Sequence, residues 1–495
     1  ETSTSGASRK MDSLASLQPY YVQEGCATSA YPLLVGTILF TLVMHTWERY
    51  LDWRQHKRIE ARGLLIPPEL TSLVEQIGDA PKKDEDEKDE KEDVSSPAAL
   101  LGKLKEKAPA TQSYNLDKSR FKFFSSSFGL VKGLAFILLG AMPLFWDTAD
   151  SFAAGYFPGS PADREIKTSI VFYAIWELVD TALNLPISLY STFVIEAKHG
   201  FNKQTYALFA TDMLKSLALE AVLGAPVLAA FLKVINYAGP QNLATYVGGF
   251  FFTFSLTFIT IYPVLIQPLF NKYEPLEPGP LRSAIEALAS SINYPLYKLY
   301  MVDGSKRSGH SNAYMYGFFK SKRIVLFDTL LKQMTNEEIV GVLAHELGHW
   351  AHGHVLFSFC FSQAYIFVAF SFFARAMGSA DIYTAFGFAA TAGASDTAGA
   401  PVMVGVLLFF MVLWEPVDHA LSFFMTWNSR RMEFQADQYG TNLGYAAPLQ
   451  RGLVKITFEN LGVLDPDPLF STYHHSHPPL VQRLRAIEEG AKKLK

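Results

Sequence analysis

The segment VLAHELGHWAHGH, residues 342–354, places four histidines and one glutamate within thirteen residues. His345 and His349 are one helical turn apart, so on a helix their imidazoles lie on the same face. Two imidazoles in this arrangement can bind one Zn²⁺ ion, and the carboxylate of Glu346 can take a proton from a water that the metal activates. The pattern H-E-x-x-H is therefore a metalloprotease signature.

The histidines that follow do not extend this signature. The longer pattern HExxHxxGxxH requires glycine at position 352 and histidine at position 355, where this chain has His352 and Val355. That excludes a metzincin on pattern. We interpret His352 and His354 as the polar end of a helix near a membrane interface.

A catalytic zinc ion needs a third protein ligand and one open position. The chain has two cysteines, without a CxxC pair, so histidines and carboxylates must hold any metal. In SRRMEFQADQYG, residues 429–440, Glu433 and Asp437 are also one helical turn apart. Glu433 could bind the metal, and Asp437 could accept a hydrogen bond from a ligand imidazole. An ordinary charged helix turn explains the same spacing equally well.

The elements that carry these residues belong to a chain with a membrane protein's composition. Of 495 residues 49% are hydrophobic and only 18% charged, whereas soluble domains contain about a quarter charged residues. The net charge of −4 argues against a nucleic-acid partner. We predict about seven transmembrane helices, from stretches of roughly 20 mostly apolar residues. These are 31–47, 128–146, 168–195, 213–235, 243–266, 355–377 and 401–427.

Charge next to the spans predicts their orientation. Lysines and arginines follow the first span, whereas the connections 236–242 and 378–400 contain neither residue. By the positive-inside rule, residues 267–354 and 428–495 then share the cytosolic face. We divide the chain into a polar segment (1–29), a first span (30–48) and a cytosolic loop (49–125) whose charged block 81–96 we expect to be disordered. Four spans (126–266), a metalloprotease unit (267–354), two spans (355–427) and a C-terminal cytosolic region (428–495) follow.

The metalloprotease unit combines helices and strands. Its spacing predicts a helix over 281–293 and strands over 296–303, 312–319 and 323–328. Thr335 followed by Glu338 forms a capping box, so the H-E-x-x-H segment lies on the next helix. The strand 312–319 is a candidate edge strand along which an extended peptide could bind, although a core strand reads the same way.

Five segments together resemble the type 1 CAAX prenyl endopeptidases, integral-membrane zinc metalloproteases that process farnesylated proteins. The segments are HELGHW, RRMEFQAD, GSKRSGHSNAYMYGFFKSKRIVLFDTLL, SLYSTFVIEAKHGFN and HHSHPPLVQRL. The similarity extends from about residue 31 to the C-terminus, apart from an acidic insert near 81–110. It implies a mainly α-helical, polytopic protein whose seven helices form a barrel around a water-filled chamber. A gluzincin-like α/β metalloprotease unit lies on its cytosolic side.

The resemblance also implies the site and its substrates. One zinc ion is held by His345, His349 and Glu433, and Glu346 activates the water. Asn312, His477 and Arg483 also belong to the active site; His477 is the candidate oxyanion donor, and Arg483 orients the His477 region or the substrate. The substrates are prenylated C-terminal CAAX proteins, from which three residues are removed, with a second upstream cleavage in some.

The location implied is the endoplasmic reticulum membrane, multi-pass, and the inner nuclear membrane. Lys492 and Lys493 in the terminal sequence AKKLK have the spacing of a dilysine retrieval signal.

Two other interpretations remain open. A membrane quality-control metalloprotease of the same clan would share the zinc site and differ only in substrate. A transporter would explain the ionisable residues inside the spans, because such residues face aqueous cavities. These residues are Glu177, Asp180, Glu220, Glu415, Asp418 and His419, together with Asn184. A transporter function would not explain the H-E-x-x-H segment.

Overall fold

The computed structural model describes residues 31–78, 94–317, 322–388 and 401–494, and most of them are helical. The helices before the sheet are α1 (Tyr31–Arg62), α2 (Pro68–Glu75), α3 (Pro97–Leu138), α4 (Ala141–Tyr156), α5 (Pro161–Tyr190), α6 (Tyr206–Leu219) and α7 (Ala225–Ile261). Those after it are α9 (Asp328–Gln333), α10 (Asn336–Ala351), α11 (His354–Ala376), α12 (Ala380–Thr384), α13 (Val402–Leu408), α14 (Glu415–Asn442), α15 (Ala446–Glu459), α16 (Pro468–His474) and α17 (Leu480–Leu494).

Within the described ranges, five helices are long and apolar enough to cross a membrane. They are Pro97–Leu138, Asp163–Glu196, Tyr206–Leu269, His354–Ala376 and Val402–Asn442. The third of them contains two predicted spans, which meet at a kink where Gly239 has φ 63° and Pro240 follows. The multi-pass helical architecture is thus confirmed.

The two predicted spans nearest the N-terminus have different outcomes. Span 31–47 lies in α1, which is not among the five candidates. The prediction of one continuous span over 128–146 was wrong, because α3 ends at Leu138 and α4 begins at Ala141. Gly140 lies between them with φ 66°, a left-handed conformation that glycine adopts without a steric penalty.

The prediction of a loop over 49–125 was also wrong for the described part of that range. Residues 49–62 complete α1, α2 follows, and α3 begins at Pro97, where the side chain of Ser96 caps its first turn. Leu100 and Leu104 are buried against Leu453 of α15 and Leu484 of α17. This packing stabilises the N-terminal part of α3, which the composition of the segment did not predict to be helical. Most of the charged block, and residues 1–30, lie outside the described residues.

The predicted α/β unit is present in residues 273–351. Strands β1 (Tyr273–Pro275), β2 (Leu296–Val302), β3 (Ala313–Tyr316) and β4 (Lys322–Phe327) form a sheet in the order β1-β2-β4-β3, and α8 (Pro280–Ser291) precedes β2. β2 and β4 are parallel, and β3 pairs with β4 in antiparallel register. β3 is therefore an edge strand of this sheet.

Helix α10 lies in the core of this unit and packs on α14 and α15. A Cβ atom built on Gly348 would lie 2.8 Å from Cα of Ala436, and one on Gly341 would lie 2.7 Å from the backbone nitrogen of Leu449. Glycine therefore permits a close approach of both neighbouring helices to α10. At the start of α10, the fully buried Glu338 binds Lys455 Nζ at 2.8 Å and closes the predicted capping box. These contacts fix α10 at its N-terminus and along its sides.

Candidate active site

The predicted metal-binding side chains come together between α10 and α14. Nε2 of His345 lies 3.3 Å from Nε2 of His349. Oε2 of Glu433 lies 3.5 Å from Nε2 of His345, and Oε1 of Glu433 lies 3.2 Å from Nε2 of His349. His345 is 5% exposed and Glu433 3%. One donor atom from each of the three side chains lies within 4.8 Å of the others, so side chains from two distant segments form a small triangle.

The size of this triangle fits a metal ion. Ligands about 2.0–2.1 Å from a tetrahedral zinc ion lie roughly 3.3–3.4 Å from one another. The contacts between the three side chains, 3.2–3.5 Å with both oxygens of Glu433 involved, are close to this value, and two imidazoles with one carboxylate are a donor set typical of catalytic zinc. The residues present can therefore hold one metal ion and leave a fourth position open.

His345 is oriented by a buried carboxylate. Nδ1 of His345 lies 2.8 Å from Oδ1 of Asp437, which is 1% exposed. A proton on Nδ1 leaves Nε2 free for the metal, so this contact fixes the tautomer that binding requires. The contact is the one that the sequence suggested for Asp437.

Arg483 on α17 contacts both Asp437 and Glu433. Its Nε and Nη2 donate to both oxygens of Asp437 at 2.9 and 2.7 Å, and Nη1 lies 3.4 Å from Glu433. Burial lowers the pKa of Arg483, but the two carboxylates raise it more, so the net shift is upwards. The cation offsets the repulsion between two buried carboxylates. In the structure Arg483 contacts these carboxylates.

The second histidine, His349, has an orienting partner that sequence reasoning missed. Its Nδ1 lies 2.9 Å from Nδ1 of His354, whose Nε2 lies 3.1 Å from Oε1 of Gln435. His354 does begin a helix that could cross a membrane, as the sequence indicated, but it is only 7% exposed and contacts His349, a role that the sequence did not indicate. Gly353, with φ 67°, ends α10 and returns His354 towards His349. Helical spacing gives no signal for such a turn.

The other predicted catalytic residues lie at different distances from this triangle. Glu346 is partly exposed on α10. Nδ1 of His477 lies 2.7 Å from Glu433, and the side chain is 66% exposed. Asn312 is exposed immediately before β3, and its side chain accepts a hydrogen bond from the backbone N–H of Ala313. His477 is thus adjacent to the metal-binding group, whereas Asn312 belongs to the edge strand.

Several ionisable residues inside the predicted spans are paired with other side chains. Lys132 Nζ lies 2.6 Å from Asp180 and donates to Asn184 at 3.2 Å. Tyr365 donates to Asp418 at 2.6 Å, and Tyr173 donates to Glu220. Lys132, Asp180 and Glu415 also line a cavity of about 250 Å³ between the helices. The pairs reduce the energetic penalty for these groups in an apolar environment.

Membrane-spanning helices, an α/β unit and a buried His₂Glu group on an H-E-x-x-H helix together define a membrane-embedded metalloendopeptidase. Comparison with known proteins supports this class. Residues 90–272 match the family described as CAAX prenyl protease N-terminal, five membrane helices, and residues 275–491 match peptidase family M48. The chain belongs to the CAAX prenyl protease 1 family within these M48 peptidases.

Individual relatives agree over nearly the whole chain. CAAX prenyl protease 1 homologs from Oryza sativa and Homo sapiens are 42% and 36% identical, over 94% and 92% of this chain and 99% and 94% of the relatives. The crystal structure of S. mikatae Ste24p superposes with a TM-score of 0.76 at 36% identity, covering 92% of this chain and 99% of that one. The shared fold therefore includes both the membrane helices and the peptidase unit.

Proposed function

We propose that this protein is a zinc-dependent endopeptidase that removes the last three residues from prenylated CAAX proteins, with a second upstream cleavage on some substrates. The observation that carries the proposal is the triangle of His345, His349 and Glu433, with Glu346 on the same helix. The names of the relatives supply the CAAX substrate class and the prenyl group.

The donor set supports a single Zn²⁺ ion as the cofactor. When bound, zinc supplies a Lewis acid that polarises the scissile carbonyl and lowers the pKa of water. Glu346 is the general base, since it follows the first ligand in sequence and is partly exposed; it takes a proton from the attacking water and passes that proton to the leaving amine. His345 and His349 would bind the metal through Nε2, because Nδ1 of each faces a neighbouring side chain.

His477 and Asn312 are the proposed donors to the developing oxyanion. The 2.7 Å contact between Nδ1 of His477 and Glu433 supports this role for His477, because its ring lies at the edge of the proposed metal-binding group. Asn312 lies at the start of β3, and the free edge of β3 can pair with an extended substrate backbone. Arg483 binds the carboxylates of Asp437 and Glu433, so its proposed effect on the substrate is indirect.

The multi-pass membrane location agrees with the helices, and we propose the endoplasmic reticulum and inner nuclear membrane as its site. The lipid bilayer is then the route by which a prenylated protein reaches the enzyme. The exposed apolar side chains of α11, among them Val355 and Leu356, suit contact with lipid.

The decisive experiment compares peptides and one variant of the purified, full-length protein. We expect a farnesylated CAAX peptide to be cleaved before its last three residues, and Glu346→Gln to abolish cleavage without lowering zinc content. A chelator should stop the reaction, and added zinc should restore it. Equal rates on farnesylated and unlipidated peptides would favour the quality-control protease instead, and full activity of the Glu346 variant would refute the mechanism.

A further inference from the structure

A hydrogen-bonded chain leads away from the metal-binding group towards the junction of two membrane helices. It begins at His349, continues through His354, the first residue of α11, and ends at Gln435 on α14. The same helix α14 also carries Glu433 and Asp437. The Nδ1 nitrogen of each histidine is thus connected to α14, that of His345 directly and that of His349 through one intervening imidazole.

The directions of these hydrogen bonds follow from the metal-binding geometry. Nε2 of His349 faces His345 and Glu433 at 3.3 and 3.2 Å, so it must carry no proton when it binds a cation. The proton is then on Nδ1, which donates to Nδ1 of His354. His354 in turn carries its proton on Nε2 and donates it to the carbonyl oxygen of the Gln435 side chain. Every polar ring atom of His354 is used, which suits its burial.

The two ligand histidines consequently differ in their support. His345 faces the carboxylate of Asp437, whereas His349 faces a neutral imidazole backed by a neutral amide. A hydrogen bond to an ionised acceptor is about twice as strong as one to a neutral acceptor. The orientation of the His349 ring therefore depends on the correct placement of His354, because the partner of its Nδ1 is an uncharged group.

We propose that His354 and Gln435 are positioning residues that fix the tautomer and ring orientation of His349 and so set the affinity for the metal. His354 accepts the Nδ1 proton of His349, and Gln435 determines which nitrogen of His354 can accept. Because His354 begins α11 and Gln435 lies on α14, the arrangement makes metal affinity depend on the relative placement of these two membrane helices. The inference rests on the proposed zinc site, though not on the proposed substrate.

Metal affinity of the purified full-length protein in detergent is the direct test. Zinc dissociation constants would be measured by competition with a fluorescent chelator, beside thermal unfolding midpoints and kcat and KM for a farnesylated peptide. We expect His354→Leu to weaken zinc binding by about 10- to 100-fold, as loss of a ligand's hydrogen-bond partner does in other zinc sites. His354→Asn supplies an oxygen acceptor near Nδ1 and should recover most of this loss.

Two more variants separate positioning from packing. Gln435→Met removes the acceptor at the end of the chain and should weaken binding less than His354→Leu. His352→Leu is the matched control, because His352 contacts the ring of His354 at 5.6 Å without hydrogen bonding to a ligand. Its zinc affinity should remain within about twofold of the unmodified protein.

The outcomes are distinct. Unchanged zinc affinity in His354→Leu would overturn the proposal, and so would equal losses in the Leu and Asn variants, because they would indicate packing alone. A failure of the unmodified protein to cleave farnesylated peptide would count against the proposed function and leave the zinc measurement intact.

Discussion

Replacing Gly348 by alanine tests whether close helix packing sets the metal geometry. Gly348 lies between the two histidines of the H-E-x-x-H segment and faces α14. An added Cβ would lie 2.8 Å from Cα and 3.0 Å from the carbonyl oxygen of Ala436. Carbon atoms in contact prefer about 3.5–4.0 Å, so α10 and α14 must separate by roughly 0.7 Å or more. Both atoms belong to the backbone, so no side-chain rotation can relieve the clash.

The separation should affect metal binding more than overall stability. Metal–ligand distances tolerate about 0.2 Å of deviation, and a shift of roughly 0.7 Å moves Glu433 out of this range relative to the two histidines. We therefore expect zinc affinity to fall at least about tenfold, with an overpacking cost of about 1–3 kcal/mol in unfolding free energy.

The assay is zinc competition with a chelator, combined with thermal unfolding of the full-length protein in detergent. Gly102→Ala is the matched control: its Cβ would meet nothing within 4 Å on the helix α3, so the same substitution should leave zinc affinity unchanged. If Gly348→Ala binds zinc and unfolds like the unmodified protein, the packing argument is refuted.

Three further predictions concern charge. Asp437→Asn should weaken zinc binding by about 10- to 100-fold in the same competition assay, because the buried Arg483 loses its bidentate partner and His345 its charged one; an unchanged affinity would contradict this role. Lys455→Met should lower the unfolding free energy by up to about 3–5 kcal/mol, since it removes the nearer of the two described cations beside the fully buried Glu338 and leaves Arg451, at 3.9 Å; a smaller effect than that of the exposed control Lys57→Met would count against it. Burial and the charge of Lys122 lower the pKa of His474 from 6.5 to about 4, so the stability that this residue contributes is present above about pH 6.5 and declines as the pH falls towards 4. His474→Phe should therefore reduce the difference between the unfolding midpoints at pH 7 and pH 5, and an unaltered difference would exclude His474 as its source.

Local sequence signals predicted the helix that carries the metal-binding histidines with good accuracy. The capping box of Thr335 and Glu338, the i,i+4 spacing of His345 and His349, and three strands of the sheet all depend on neighbouring residues, and all are present. The role of Glu433 could not be decided from spacing, because its partners lie more than eighty residues earlier in the chain. Only the resemblance to a known family favoured Glu433 as the third ligand over an ordinary charged helix turn.

The errors arose where tertiary packing or a single glycine determines the structure. Gly140 interrupts a continuous apolar run, and hydropathy averages over such a break. Leu100 forms part of a helix because α15 and α17 bury it, which is a long-range contact. His354 was missed because Gly353 changes the chain direction, so that two residues five apart meet.

The position of α14 explains why this peptidase unit is built together with a membrane domain. The helix belongs to a segment apolar enough to cross a membrane, and its last turns carry Glu433, Gln435 and Asp437. One element therefore supplies a proposed metal ligand and the hydrogen-bond partners of both histidines, while its N-terminal half contacts other membrane helices, as in the hydrogen bond between Tyr365 and Asp418. The α/β unit of residues 273–351 contains only two of the three proposed metal ligands, so it cannot complete the proposed site by itself. We therefore expect formation of the proposed metal site to require assembly of the membrane helices, and substitutions that shift α14 should change metal affinity at a distance.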